Sequence, residues 1–241
     1  MDGEQQRPEA PKNSLAVPGA IVIAGLLVAG AVFITNGGAV LGSAGKVAAN
    51  AGGAEKAVAL EITATDHVRG NPNAPVVVVE YSDPECPFCK NFHPTMQRIM
   101  SEYGAQGKVA WVYRSFPLDQ IHSKAREEIE AIECAAEVGG NVKYWEYLDR
   151  VFEITPGNNG LDLALLPTIA QDLGLDVAEF EACRAEDKFA DRIQAEYESG
   201  LAAGVRGTPH SIIIGKDGKQ YVINGAQPYE TVKQMIETAL K

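Results

Sequence analysis

Basic residues are in deficit here. The 241-residue chain has 21 Lys and Arg against 32 Asp and Glu, a formal net charge of −11. A surface of that sign is a poor match for nucleic acid, whose phosphates reward basic patches. It does keep a protein soluble. Histidine is scarce too. The four, at positions 67, 93, 122 and 210, fall in no metal-type spacing. His67, His93 and His122 are expected on helix or loop surfaces, and the chain has no internal repeat. Cysteine is limited to Cys86, Cys89, Cys134 and Cys183. An even count permits two bridges, which belong in an oxidising compartment.

Charge is also missing locally, from Ser14 to Gly45. Within that window "LAVPGAIVIAGLLVAGAVFIT", residues 15–35, approaches the ~20 apolar residues of a membrane-spanning helix. A cleaved signal peptide is the rival reading. Its apolar region usually runs only ~7–15 residues behind a basic start, and "MDGEQQRPEAPK" is not basic. An uncleaved anchor at 15–35 is therefore expected, after a tail at 1–14. Two basic residues precede the span (Arg7, Lys12) and two follow it (Lys46, Lys56), so charge does not orient it. Residues 36–57 are mostly Gly and Ala, a tether of roughly 25 Å on average. Acids and bases cancel up to position 57, so the whole net negative charge lies in 58–241.

That region reads as a single α/β domain. "VVVVEY" (76–81) fits a strand buried on both faces. Phe88, Phe92, Met96, Ile99 and Tyr103 then recur at helical spacing, with Pro94 as a kink inside one helix. "VAWVYRSF" (109–116) reads as a second strand. A block of helices fills about 120–203, with turns at "VGGN", "TPGNNG" and "DLGLD". Ile121, Ala125, Ile129, Ile132 and Ala136 form one apolar face of its first helix. The acidic run "AREEIEAIE" reads as a solvated face. "SIIIG" and "QYVING" look like a hairpin, and a last amphipathic helix closes the chain.

In "YSDPECPFCKNFHP" two cysteines stand three apart at a strand-to-helix junction. Cys86 falls at the helix N-terminus, where backbone N–H groups and the dipole favour a thiolate. Cys89 lies nearly a turn further on, within bridging reach, and Pro87 suits the first helical turn. An activated sulfur and a resolving sulfur are what dithiol exchange needs. Two other readings compete: a four-cysteine zinc site and an inert structural bridge. Structural zinc usually takes two tight pairs, whereas 48 residues separate Cys134 from Cys183.

Three segments, "VVVVEYSDPECPFCKNFHP", "HSKAREEIEAIECAAEVGG" and "GVRGTPHSIIIG", together resemble the DsbA-like thiol:disulfide oxidoreductases of the thioredoxin superfamily. The likeness is greatest to their membrane-tethered branch and covers about residues 62–241. It implies a thioredoxin fold with an all-helical subdomain inserted after the second strand. Cys86 would attack and Cys89 resolve, with Glu80 as a buried acid beneath them. Thr208-Pro209 would form the cis-proline loop that, with Pro87 and Phe88, meets a substrate chain. The implied partners are reduced exported proteins and a quinone-linked membrane reoxidant, with no cofactor. The setting would be the extracytoplasmic face of a bacterial or archaeal membrane. Pro-Phe stands between the cysteines where strongly oxidising members have Pro-His. Phenylalanine cannot donate a hydrogen bond to a thiolate, so a weaker oxidant is expected. His210, after the proline, is expected half-exposed.

Cys134 falls opposite the isoleucine face of its helix. It is read as bridged to Cys183 within the helical insertion, the alternative being two free thiols. That bridge would close a loop of about fifty residues, worth ~4 kcal/mol in the chain-entropy model. It would also place the domain outside the cytosol. Alternatives to an oxidase are a reductase or isomerase of the same fold, or a tethered binding or chaperone module with a merely structural cysteine pair.

Overall fold

The computed structural model describes residues 60–241. The tail at 1–14, the span at 15–35 and the tether at 36–57 lie outside the described residues. Among the described residues no helix is long and apolar enough to cross a membrane.

Five strands form one mixed sheet: β1 His67–Gly70, β2 Val76–Ser82, β3 Val109–Ser115, β4 His210–Ile214 and β5 Gln220–Asn224. Their order is β1-β3-β2-β4-β5. Only β2 and β3 run parallel, joined through α1, Pro87–Ile99. The other neighbours, β1/β3, β2/β4 and β4/β5, are antiparallel. The valine run therefore occupies the sheet's centre, where both faces are covered. Val76 and Val78 join Phe92, Met96, Ile99 and Trp111 in one core. Val79 and Tyr81 join Val112, Phe116 and Ile212 in a second. The hairpin of β4 and β5 is as expected. β1 was not expected, because its sequence "HVRG" has neither apolar alternation nor a β-branched run.

Between β3 and β4 the chain is helical: α2 Ala125–Ile154, a 3-10 turn, α3 Leu166–Asp172, α4 Val177–Ala185 and α5 Ala190–Ala202. The helix α6, Tyr229–Ala239, ends the fold. The expected turn at "VGGN" is a kink within α2, where Gly140 takes φ 75°. A residue with a Cβ avoids that region. Pro94 is accommodated within α1.

Two expectations about the insertion are corrected. Ile121 is 64% exposed and precedes the helix, which begins at Ala125. Leu118–Lys124 forms turns instead, and His122 takes the buried position. The acidic run is not a solvated face either, since Glu128, Glu130 and Glu133 are buried. Each has a local reason. Glu130 accepts the Phe189 N–H at 3.0 Å. Glu133 lies 3.0 Å from His67 and 3.3 Å from Arg192. Glu128 faces Glu85. Glu128 and Glu133 thus face residues outside the insertion, whereas Glu130 closes a contact within it. Within the insertion a disulfide joins Cys134 of α2 to Cys183 of α4.

On the opposite face α5 lies close to the sheet. A Cβ on Gly200 would stand 2.6 Å from Phe116 Cδ2 and 3.0 Å from Tyr81 Cδ1. Gly200→Ala is therefore expected to force these two rings apart and cost about 1–3 kcal/mol. Urea unfolding measures it; a midpoint equal to the wild type would show that the approach is loose.

Candidate active site

The turn leaving β2 is fixed by Asp83. Its Oδ1 accepts the Glu85 N–H at 2.8 Å. Its Oδ2 accepts the Leu118 N–H at 2.8 Å and lies 2.8 Å from His122 Nδ1. The Asp83 carbonyl receives the Cys86 N–H at 3.1 Å. Cys86 is thereby delivered to the N-cap of α1 in an extended conformation, with Pro87 following in the first turn. Its carbonyl accepts the Lys90 N–H at 3.0 Å, opening the helix.

Cys86 and Cys89 carry free thiols, and their environments drive them apart. The Cys89 thiol hydrogen-bonds Cys86, which lowers the Cys86 pKa to about 6 against the cost of burial. Thr208 and the amides of Cys89 and Phe88 add to the lowering. As a thiol, Cys86 donates to the Thr208 carbonyl at 3.5 Å. Cys89 is wholly enclosed, and burial, reinforced by Cys86, pushes its pKa well above the ordinary value. One sulfur is a thiolate at neutral pH and the other a thiol. That inequality suits sequential exchange.

Glu80 sits on β2 with no exposure. Its Oε2 accepts the Trp111 indole N–H at 3.0 Å, while Oε1 has no partner. Burial raises its pKa to about 8, so it is mostly protonated at pH 7. Tyr113, also enclosed, has its pKa raised by burial and by its nearness to Cys89 and Glu80. Its hydroxyl has no partner.

Cys86, Cys89, Thr208 and Pro209 are thus brought together with Pro87 and Phe88, and the Thr208–Pro209 bond is cis. Phe88, the first of the helically spaced apolar residues and one of those expected to meet a substrate chain, is 64% exposed. It lies beside the reactive sulfur on the outer side of the first turn. Cys134 and Cys183 serve the insertion instead. The histidines are corrected as well. His122 is buried on Asp83, and His93 is buried with Nε2 2.7 Å from Asp149. His67 is partly buried, stacked on Tyr144 and bonded to Glu133. His210 is buried on β4 between Tyr81 and Asn224, and burial lowers its pKa. A neutral ring there adds no positive charge to the site. Asp83, Glu85, His122, Glu128 and Tyr113 were missed as site residues. Only the acids flanking the cysteines, in "DPEC", offered a signal.

The thioredoxin family matches residues 62–238. The chain belongs to that family. Its fold is DsbA-like, a thiol:disulfide oxidoreductase fold. The crystal structure of Pseudomonas aeruginosa DsbA2 is 26% identical, with a TM-score of 0.61 over 74% of this chain and 96% of that one. Wolbachia pipientis alpha-DsbA1 is 24% identical, with a TM-score of 0.65 over 75% and 93%. Among curated relatives, the Na(+)/H(+) antiporter NhaA 3 of Salinispora tropica is 34% identical over 155 residues, 63% of this chain. This thioredoxin-family chain spans only 22% of that antiporter's length, so the likeness concerns one segment of it.

The Cys89 thiol contributes most to the acidity of Cys86. In Cys89→Ala the midpoint for Cys86 alkylation is expected to climb from about 6 toward the ordinary ~8.5. A pH series of iodoacetamide rates measures it. An unmoved midpoint would assign the acidity to Thr208 and the helix-tip amides instead.

Proposed function

We propose that the protein is a membrane-tethered thiol:disulfide oxidoreductase that introduces disulfides into exported proteins on the extracytoplasmic side. The observation that carries this reading is the unequal sulfur pair at the tip of α1, with Cys86 lowered to about 6 above a Cys89 held as a thiol. A substrate thiolate attacks Cys86 Sγ of the oxidised pair. The Cys86–Cys89 bond breaks, and Cys89 leaves with the electron pair and takes up a proton. Glu80, largely protonated at neutral pH, is the buried acid suited to supply it. A second substrate thiolate then attacks the substrate sulfur of the mixed disulfide and expels Cys86 as a thiolate. Two substrate thiols are oxidised and one enzyme disulfide is reduced.

The low Cys86 pKa favours this direction. A depressed folded pKa stabilises the reduced chain above the ordinary thiol pKa. That stabilisation fades as pH falls toward about 6. The more stable the dithiol, the more oxidising the pair. Reoxidation passes two electrons to a quinone-linked membrane partner, reached because residues 15–35 hold the domain at the membrane. The Cys134–Cys183 bridge supports an oxidising compartment.

Oxidised full-length chain mixed with a reduced, unfolded protein is expected to remove two substrate thiols per turnover. Cys86→Ala should abolish this, and Glu80→Gln should slow formation of the mixed disulfide. A reduction potential near −270 mV, as in a reductant of this fold, would reverse the assigned direction. After carbonate washing of membranes the full chain should remain in the pellet and residues 58–241 in the supernatant. A full chain in the supernatant would refute the anchor.

A further inference from the structure

Glu85 immediately precedes Cys86 and has no exposure. Its backbone carbonyl accepts the Asn158 N–H at 2.7 Å and its Oε2 the Gly160 N–H at 3.2 Å. Its Oε1 receives no donor. Across the seam Glu128 of α2 is equally buried, and neither of its carboxyl oxygens receives a donor. The two side chains lie within hydrogen-bonding reach of each other. Two carboxylates have no proton with which to make that bond, and like charges in so dry a place repel strongly. A carboxylic acid and a carboxylate satisfy both conditions.

We propose that Glu85 and Glu128 share one proton, which clamps the helical insertion onto the turn carrying Cys86 and limits the charge beside its thiolate to one. Glu128 is thus a positioning residue, acting through Glu85. The second half of this inference rests on Cys86 being the exchanging sulfur. The charged and titratable groups facing the pair are few. Asp83, bonded to His122, adds to the repulsion, and Lys124 opposes it. Tyr147 is close enough to feel Glu128, and its hydroxyl donates to the Leu166 carbonyl at 2.8 Å. Lys124 is itself engaged with the Leu161 carbonyl at 2.7 Å. The lysine therefore sits on the loop at the pair's edge, and the proton remains the direct link.

The consequence for pH follows in sign. Burial beside Glu85 raises the Glu128 pKa to about 10. The folded chain keeps a proton that the unfolded chain releases. Stability from this group is full below the ordinary carboxyl pKa and is lost as pH rises toward about 10. Glu80 adds a similar slope only to about 8, and above it the raised Cys89 thiol contributes in wild type and variant alike, so the difference between the two chains isolates Glu128.

The test uses full-length chain with Glu128→Gln and Glu85→Gln. Glu128→Gln supplies a permanent neutral donor. Its infrared difference spectrum at neutral pH should show one neutral-acid carbonyl band lost. Its stability should fall less steeply than the wild type's between pH 8 and 10, by up to about tenfold in the folding constant per pH unit. Its Cys86 alkylation midpoint should stay put. Glu85→Gln removes the charge beside the sulfur and should lower that midpoint by about half a unit or more. An unchanged band and slope in Glu128→Gln would overturn the shared proton, and an unmoved midpoint in Glu85→Gln its effect on Cys86. An ordinary thiol midpoint in the wild type would instead refute the exchange reading, and the infrared band would still decide the shared proton.

Discussion

Two sulfurs of the same kind are made chemically unequal by about one helical turn of displacement. Everything else in the site serves that inequality. A central strand buried on both faces must end abruptly, a turn must reverse no more than needed, and a helix must begin with its N–H groups pointing at Cys86. Asp83 meets the middle demand by holding three donors on one buried carboxyl group. Once the helix is in place, Cys89 follows of necessity into the core beneath. Its enclosure makes it the poorer anion, and its thiol proton then stabilises the charge on Cys86.

Such an arrangement concentrates acids where a protein ordinarily has hydrocarbon. Glu80, Asp83, Glu85 and Glu128 are all buried within the strand, the turn and the facing helix. Their treatment differs with their neighbours. Asp83 is saturated with donors and fixes the geometry. Glu80 leaves one oxygen without a donor, and burial raises its pKa to about 8. A buried acid without full partners costs stability, and it persists where the chemistry gains from it. The insertion supplies the lid over this group, and the Cys134–Cys183 bridge ties α2 to α4.

The reactive pair and its loop were legible because their signals are local. A β-branched run, a Cys-Pro-Phe-Cys opening and a late Thr-Pro each determine nearby backbone. The Cys134–Cys183 pairing was also readable, from helical phase. What escaped was tertiary. Nothing in "AREEIEAIE" tells that three of its acids face inward, because each is held by a group more than forty residues away: Glu85, Phe189 or His67. The histidines were misjudged for the same reason, since Asp83 and Asp149 draw His122 and His93 inside. Strand β1 exists because β3 offers it an edge, not because its own residues prefer extension.

Phenylalanine at position 88 bears on the weaker oxidant expected from the dipeptide. That expectation assumed that the intervening side chain sets the thiolate's energy. Here the stabilising groups are the Cys89 thiol, Thr208 and the amides of residues 88 and 89, none of which depends on the Phe88 ring. The ring is therefore released from electrostatic duty and stands largely in water. An exposed aromatic beside a reactive sulfur offers apolar surface to any chain that comes to exchange, and aromatics are favoured at such contacts. A folded protein has few apolar side chains to present in return, whereas an unfolded one has many. The residue that withholds a hydrogen-bond donor from the thiolate thus offers apolar surface in its place, and under the proposed function that surface would favour clients not yet folded.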